Sequence, residues 1–305
     1  MPTAIESKNY LAQNSLNKYY PDDVSRVLDK LAERDYSQNT QKAVLRDLGA
    51  FFSWYQQKNG EAFSFGRLVE RDAIDFRDDA RKAELAVSTV NRRLVSLRIF
   101  CDVAVDLEII AKNPAKHVRQ LALQKLAPKG LTDQDLRKVL KEVEIRENLR
   151  DRLLFELMTG AGLRVSEVAN LRVQDVQISE RKGTATIKNS KGNKTREVPL
   201  NQKIRLLFAE YLEKEEPQNK IFRGQRGEIT TLAVNKIVEK YGRKAGVKLS
   251  PHSLRHTFAF NYLRANPLDL VGLSQILGHS NINTTAIYTQ NRLKDLQERV
   301  EGLNY

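Results

Sequence analysis

The chain has 305 residues, 41% of them hydrophobic and 29% charged, with one cysteine and a formal net charge of +13. This composition suits two globular domains with real cores and excludes an intrinsically disordered chain. There is no run of about 18 apolar residues to span a bilayer, and the lone Cys101 excludes an internal disulfide.

The charge is unevenly placed. Residues 1–126 hold 20 Lys and Arg against 17 Asp and Glu, whereas residues 127–305 hold 31 against 21. A basic excess concentrated in one half points to a polyanionic partner. Residues 1–20 carry no apolar core segment, are not a secretory signal, and are assigned only as an N-terminal extension. A cytoplasmic protein without a membrane partner is expected.

From Tyr20-Pro21-Asp22 the pattern turns helical. Val24, Val27, Leu28 and Leu31 form one apolar stripe, and Val44, Leu45, Leu48, Phe51, Phe52 and Tyr55 form a second. Asn59-Gly60 and Ser64-Phe65-Gly66 are breaks. Ser88 or Thr89 is expected to cap a further long helix bearing Val90, Leu94, Leu97 and Cys101. Asn113-Pro114 closes this part, because the residue before proline avoids the helix. A helical domain over 21–120 and a linker over 121–130 follow.

The second domain, 131–305, opens with Thr132 as a helix cap. Most of 131–172 has the helical period. Over 173–200 the period falls to two: Thr184–Lys188 and Thr195–Pro199 alternate like strands around a polar turn containing Gly192. From 201 to 303 the helical pattern returns. It ends in a stripe, Leu293, Leu296, Val300 and Leu303, that has apolar surface to bury. The expected class is mainly α with a small β-sheet.

Three of the four histidines lie between 252 and 279. The segment reads His252-Ser253-Leu254-Arg255-His256, then Leu277-Gly278-His279, then Thr284-Thr285-Ala286-Ile287-Tyr288. A phenol, imidazoles and a guanidinium are what is needed to attack a phosphodiester and stabilise the charge that develops. Upstream stand Thr159-Gly160-Ala161-Gly162-Leu163-Arg164-Val165-Ser166-Glu167 and Lys191-Gly192-Asn193-Lys194-Thr195-Arg196. In this order the boxes resemble the motifs of the tyrosine recombinases, the phage-integrase and Xer family. The resemblance is strong over about 127–305 and weaker over about 21–120.

The resemblance implies a helical core-binding domain followed by a mixed α/β catalytic domain. Tyr288 would be the nucleophile, with Arg164 and Arg255 clamping the phosphate. Arginine's planar fork suits two non-bridging oxygens; the plainer alternative for Arg164 is an ion pair with Glu167 or Asp175. Gly160 and Gly162 mark a tight turn into a helix whose start would face the phosphate. Lys191 would protonate the leaving 5′ oxygen, with Lys194 the alternative. His252 would exchange the tyrosine proton or touch the phosphate, and His279 would donate to it. Glu167 and His256 would support these groups from behind. His252 and His256 also have the spacing of half a zinc site, but the only cysteine is far away and no partner pair exists. Neither metal nor cofactor is expected.

Further DNA contacts are expected from Thr40, Lys42 and Arg46 on one N-terminal helix, from Asn91, Arg92 and Arg98 on another, and from Lys194, Arg196, Arg243 and Lys244 in the second domain. The implied activity is site-specific recombination of duplex DNA through a 3′-phosphotyrosyl intermediate, for resolution or integration. It would involve a tetramer at the synapse and a tail docking on a neighbouring protomer. Two alternatives are a type IB-like topoisomerase and a DNA-organising protein that does not cleave.

Overall fold

The computed structural model describes residues 21–123, 130–188, 195–224, 227–267, 269–279, 281–289 and 301. The extension at 1–20, most of the linker, Lys191, Lys194 and the tail-stripe residues Leu293, Leu296, Val300 and Leu303 lie outside the described residues. The chain divides into two compact units, 1–125 and 126–305. It is mainly helical with a small sheet, and among the described residues no helix is long and apolar enough to cross a membrane.

The first unit holds α1 (Asp22–Glu33), α2 (Gln38–Asn59), α3 (Glu70–Lys82) and α4 (Val87–Asp106). The stripes on α1 and α2 are buried throughout. Ser37 caps α2 by accepting the Thr40 backbone N–H, and Gly60 ends it in the left-handed region at φ +74°, where glycine has no steric penalty. The breaks after α2 have a packing purpose. They carry Phe63 and Phe65 into the core, where ring centroids lie 5.5 Å apart for Phe51–Phe63 and 4.9 Å for Phe65–Phe100. Trp54 packs at the margin of this cluster, donating to Asp79 at 3.2 Å with the Lys58 ammonium 5.1 Å from its ring.

Helix α4 starts earlier than a cap at Ser88 or Thr89 would place it. Its N-cap is Ala86, without a side-chain cap, and Ser88 and Thr89 sit in its first turn. The polar residues of α4 also differ from expectation. Asn91 exchanges two hydrogen bonds with the Leu121 backbone, both at 2.8 Å. Arg98 donates to the carbonyls of Ala115 and Val118. Arg92 donates to the buried carboxylate of Asp47, which also accepts from Ser96 at 2.9 Å. Asn91 and Arg98 strap residues 113–121 onto the helix; they are not held out to read bases. Thr40 is likewise drawn into the Ser37 cap. Lys42 and Arg46 remain on the exposed side of α2.

The second unit contains α5 (Asp133–Ile145), α6 (Leu149–Thr159), α7 (Val165–Asn170), α8 (Gln202–Glu215), α9 (Thr231–Ala245), α10 (Pro251–Ala265), α11 (Leu270–Leu277) and α12 (Asn283–Ala286). Strands β1 (Val176–Ile178), β2 (Gly183–Lys188) and β3 (Thr195–Pro199) form an antiparallel sheet in sequence order. Ala185 pairs with Val176 on one side and Val198 on the other. Helix α6 is the centre of the unit, with Leu153 to Met158 buried all round. The stretch after α8 departs from the expected helix: Arg223–Gly224 and Gly227–Glu228 pair as short strands β4 and β5.

Asp47 gives a direct test of the first unit. Asp47→Ala removes the acceptor of two donors at a buried position and should cost about 2 kcal/mol. Urea unfolding of the full chain should show a lower midpoint with an unchanged slope. Asp47→Asn, which keeps one acceptor, should lose less.

Candidate active site

The second unit brings Arg164, Glu167, Arg196, His252, Arg255, His256, His279 and Tyr288 into one connected set. The turn after α6 sets the geometry. Gly162 lies at φ +66°, and a Cβ there would overlap the Phe258 ring. Only glycine fits such a position without strain. The turn makes Arg164 the N-cap of α7, and Glu167 at the third helical position accepts its backbone N–H at 2.8 Å. The positive end of this helix was expected to face a phosphate. The Glu167 carboxylate occupies it instead.

Glu167 is the hub. It accepts from Arg164 Nη1 at 2.8 Å and from Arg196 Nη1 and Nη2 at 2.9 and 2.8 Å. Arg255 Nη1 lies 3.8 Å away. The Glu167 side chain is 8% exposed. Burial pushes its carboxyl up, but the bonds and charge of Arg196, then those of Arg164, overcome this and lower it to about 2. Arg196 was expected on the DNA. Its side chain is only 9% exposed and is spent on Glu167 and on the Ile276 carbonyl at 2.7 Å. The reason is register: Arg196 shares the inward face of β3 with buried Val198.

The same three arginines gather the end of α11. Its last carbonyls have no partners within the helix and carry the negative end of its dipole. Arg196 takes the Ile276 carbonyl, Arg255 Nη2 takes Leu277 at 2.6 Å, and Arg164 Nη2 takes Gly278 at 3.3 Å. Arg255 Nη1 also holds the Gly162 carbonyl at 2.6 Å. Arg255 is 3% exposed, whereas the Arg164 side chain is 36% exposed. Burial and the neighbouring Arg164 charge lower the Arg255 pKa to about 9.

His279 follows Gly278, which turns the chain at φ +63°. Its Nδ1 pairs with Thr285 Oγ1 at 2.9 Å, and its Nε2 lies 3.4 Å from Arg255 Nη2. The tautomer that fits has Nδ1–H donating to Thr285 and Nε2 accepting. On α10, Ser250 caps the helix and Pro251 occupies its first position. This orients His252 and His256 one turn apart with ring centroids at 4.0 Å. His256 Nδ1 lies 2.6 Å from the Tyr288 hydroxyl, and Phe260, a turn further on, meets the Tyr288 ring edge-on at 5.3 Å. Tyr288 is 8% exposed. Burial raises its pKa, with Arg255 and Arg164 pulling the other way. Burial and the arginine charges lower all three histidines, His256 and His279 to about 4. In His256 the neighbouring His252 ranks just after burial.

His252 was expected either to exchange the tyrosine proton or to touch the phosphate; the imidazole within hydrogen-bond distance of the Tyr288 hydroxyl is that of His256. Tyr262, another hydroxyl on the same helix, is bonded to Asp269 at 2.6 Å. Thr285, which is buried, and Phe260, which is partly buried, carried no sequence signal, since packed threonines and phenylalanines are common. Arg243 and Lys244 sit exposed in the last turn of α9, where they also complement its dipole. The set can hold an anion against Arg164 and Arg255 and offers a buried phenol beside a neutral imidazole.

The profile described as Phage integrase family matches residues 129–294, and that of the phage integrase N-terminal SAM-like domain matches residues 24–107. The chain is 30% identical over 285 residues to tyrosine recombinase XerA of Pyrococcus furiosus, covering 92% of this chain and 94% of that one. It is 31% identical over 270 residues to tyrosine recombinase XerC of Staphylococcus aureus, covering 84% and 87%. Among solved structures it is similar in fold to XerH bound to its difH substrate in a post-cleavage complex (TM-score 0.76, 23% identity, 98% of this chain and 88% of that one). It is also similar to a lambda integrase dimer on a core site (TM-score 0.72, 16% identity, 89% and 95%).

Removing the Glu167 carboxylate leaves two nearly buried guanidiniums uncompensated, so Glu167→Ala should cost about 3–5 kcal/mol, read by chemical denaturation. The histidines add a pH dependence. In the unfolded chain they titrate near the ordinary value of 6.5, and in the folded chain His256 and His279 titrate at about 4. Their contribution is therefore complete above pH 6.5 and is lost as pH falls toward 4. The thermal midpoint of the DNA-free protein should drop across that window, and less in His256→Asn/His279→Asn.

Proposed function

The chain belongs to the phage integrase family, and on that footing we propose that it is a site-specific DNA recombinase working through a 3′-phosphotyrosyl link to Tyr288. The observation that carries this is the Tyr288 hydroxyl, buried with a histidine 2.6 Å away, in the same set as Arg164 and Arg255.

The scissile phosphate sits on the open guanidinium of Arg164, with Arg255 beneath it. Nη1 of Arg255 bonds the Gly162 carbonyl and keeps a second N–H, whereas Nη2 is shared between the Leu277 carbonyl and His279 Nε2. The Tyr288 oxygen bonds to phosphorus and the bond to the 5′ oxygen breaks. That oxygen takes a proton, which Lys191 supplies, with Lys194 the alternative. The 5′ hydroxyl of a partner strand then attacks the phosphotyrosine and Tyr288 regains its proton. The bond energy is conserved in the ester, so no nucleotide is consumed. Charge stabilisation rests on arginines already fixed by Glu167 and three carbonyls, so little reorganisation accompanies the reaction.

Lys42 and Arg46 on α2, and Arg243 and Lys244 on α9, neutralise backbone phosphates. Exchange between two duplexes uses four protomers, with the tail stripe docking on a neighbour. A cytoplasmic location suits a protein acting on intracellular DNA.

Tyr288→Phe should form no covalent DNA adduct on a nicked suicide duplex while binding that duplex within a few fold of wild type. Adduct at wild-type level in this variant would overturn the assignment. Cleavage should persist in excess EDTA, since arginine, lysine and histidine supply the charge that a metal would. Binding should weaken steeply with salt.

A further inference from the structure

We propose that His256 is the catalytic base for Tyr288, taking the phenolic proton at Nδ1 as the tyrosine oxygen bonds to phosphorus and returning it when the link is broken. This rests on the recombinase function proposed above, and it assigns the proton to a side chain that the sequence placed behind the reacting groups.

Three observations carry it. His256 Nδ1 is within hydrogen-bond distance of the nucleophilic oxygen, at 2.6 Å. A base must reach the proton it removes, and geometry comes first in choosing one. His256 and Phe260 lie four residues apart on α10, on one face. Together they grip Tyr288, Phe260 by the ring edge and His256 by the hydroxyl. The tyrosine is therefore oriented onto this nitrogen by packing as well as by the bond. Lastly, His252 stands one turn earlier and is the more exposed of the pair. Its ring packs on His256 at 4.0 Å. That leaves it open to meet the phosphate from the solvent side.

The protonation states agree with this role. Burial, then His252, Arg255 and His279, keep the His256 imidazole neutral in the free protein. A neutral ring whose Nδ1 accepts from Tyr288 carries its hydrogen on Nε2. A phosphate dianion-like transition state brings negative charge into the same space, which favours the imidazolium at the moment the proton arrives. The proton count balances. One leaves the phenol for Nδ1, one reaches the departing 5′ oxygen from the lysine, and both return on religation.

The test separates base from scaffold. Asparagine at 256 can set its amide oxygen near the position of Nδ1 and still accept from Tyr288, but it cannot take a proton. The probe is the duplex that the Tyr288→Phe protein selects from a random-sequence pool, nicked to trap the adduct. It is used in single turnover both as the ordinary ester and with a bridging 5′ sulfur, which leaves without a proton. His256→Asn should fold and bind this duplex like wild type. It should cleave both substrates more slowly by about 10²-fold or more, and it should lack the acid limb of the wild-type pH profile. That limb should survive in His252→Asn and His279→Asn, the other titratable groups facing His256.

Cleavage by His256→Asn within a few fold of wild type, or faster, would overturn the proposal; so would rescue of its deficit by the sulfur substrate. Adduct formation by Tyr288→Phe would instead overturn the function on which the proposal rests. A second measurement needs neither variant nor DNA. Nitrogen-15 histidine spectra of the wild-type protein should show His256 as the Nε2–H tautomer, and the Nδ1–H tautomer would reject the assignment.

Discussion

The second unit depends on one arrangement of charge: three guanidiniums packed against one carboxylate and the open end of one helix. Glu167 binds Arg164 and Arg196 directly and has Arg255 at 3.8 Å. The carbonyls of Ile276, Leu277 and Gly278 take one arginine each. Like charges this close would repel strongly at low dielectric. The carboxylate and the helix dipole are what allow them to coexist. The same contacts tie together α7, β3, α10 and α11, which are far apart in sequence. Anion-binding capacity and tertiary structure thus have a common origin here. Burial first, and then the surplus of positive charge left after Glu167, holds the surrounding histidines neutral.

Within this frame the surroundings of Tyr288 are arranged by helical periodicity. His252, His256 and Phe260 fall on one stripe of α10, while Arg255 points inward beneath them. The Ser250 cap and Pro251 fix where that helix begins, and hence which way each side chain projects. Thr285 fixes the His279 ring from the opposite side.

Much of the fold was legible from period alone. Helices α1 and α2 show long apolar stripes, and β2 and β3 show clean alternation. Helix α3 shows no such stripe, because its sequence is crowded with charge and it buries only Ala73, Phe76 and Ala80. The start of α4 was misplaced because Ala86 caps it through backbone geometry, with no side-chain signature. At the site, ordered motifs made the gathering of arginines, histidines and tyrosine legible. The partners of each were not. Which face of β3 turns inward decides that Arg196 is buried. The position of Tyr288 over α10 decides that its hydroxyl meets His256. Asn91 and Arg98 look like base readers on a helical wheel, and only the return of the chain over 113–121 shows them occupied. Local sequence carries period; it does not carry the identity of a partner distant in the chain.

The sole tryptophan, Trp54, lies at the edge of the aromatic cluster in the first unit, its indole hydrogen-bonded to Asp79 and its ring beneath Lys58. The second unit contributes only tyrosine and phenylalanine to near-ultraviolet emission. Indole fluorescence therefore reports the helical first unit alone, and the unit bearing Tyr288 is silent in that channel. A tryptophan signal that moves when an anion occupies the arginines would have crossed from one unit to the other. The molecule thus carries a built-in optical label for communication between its two units.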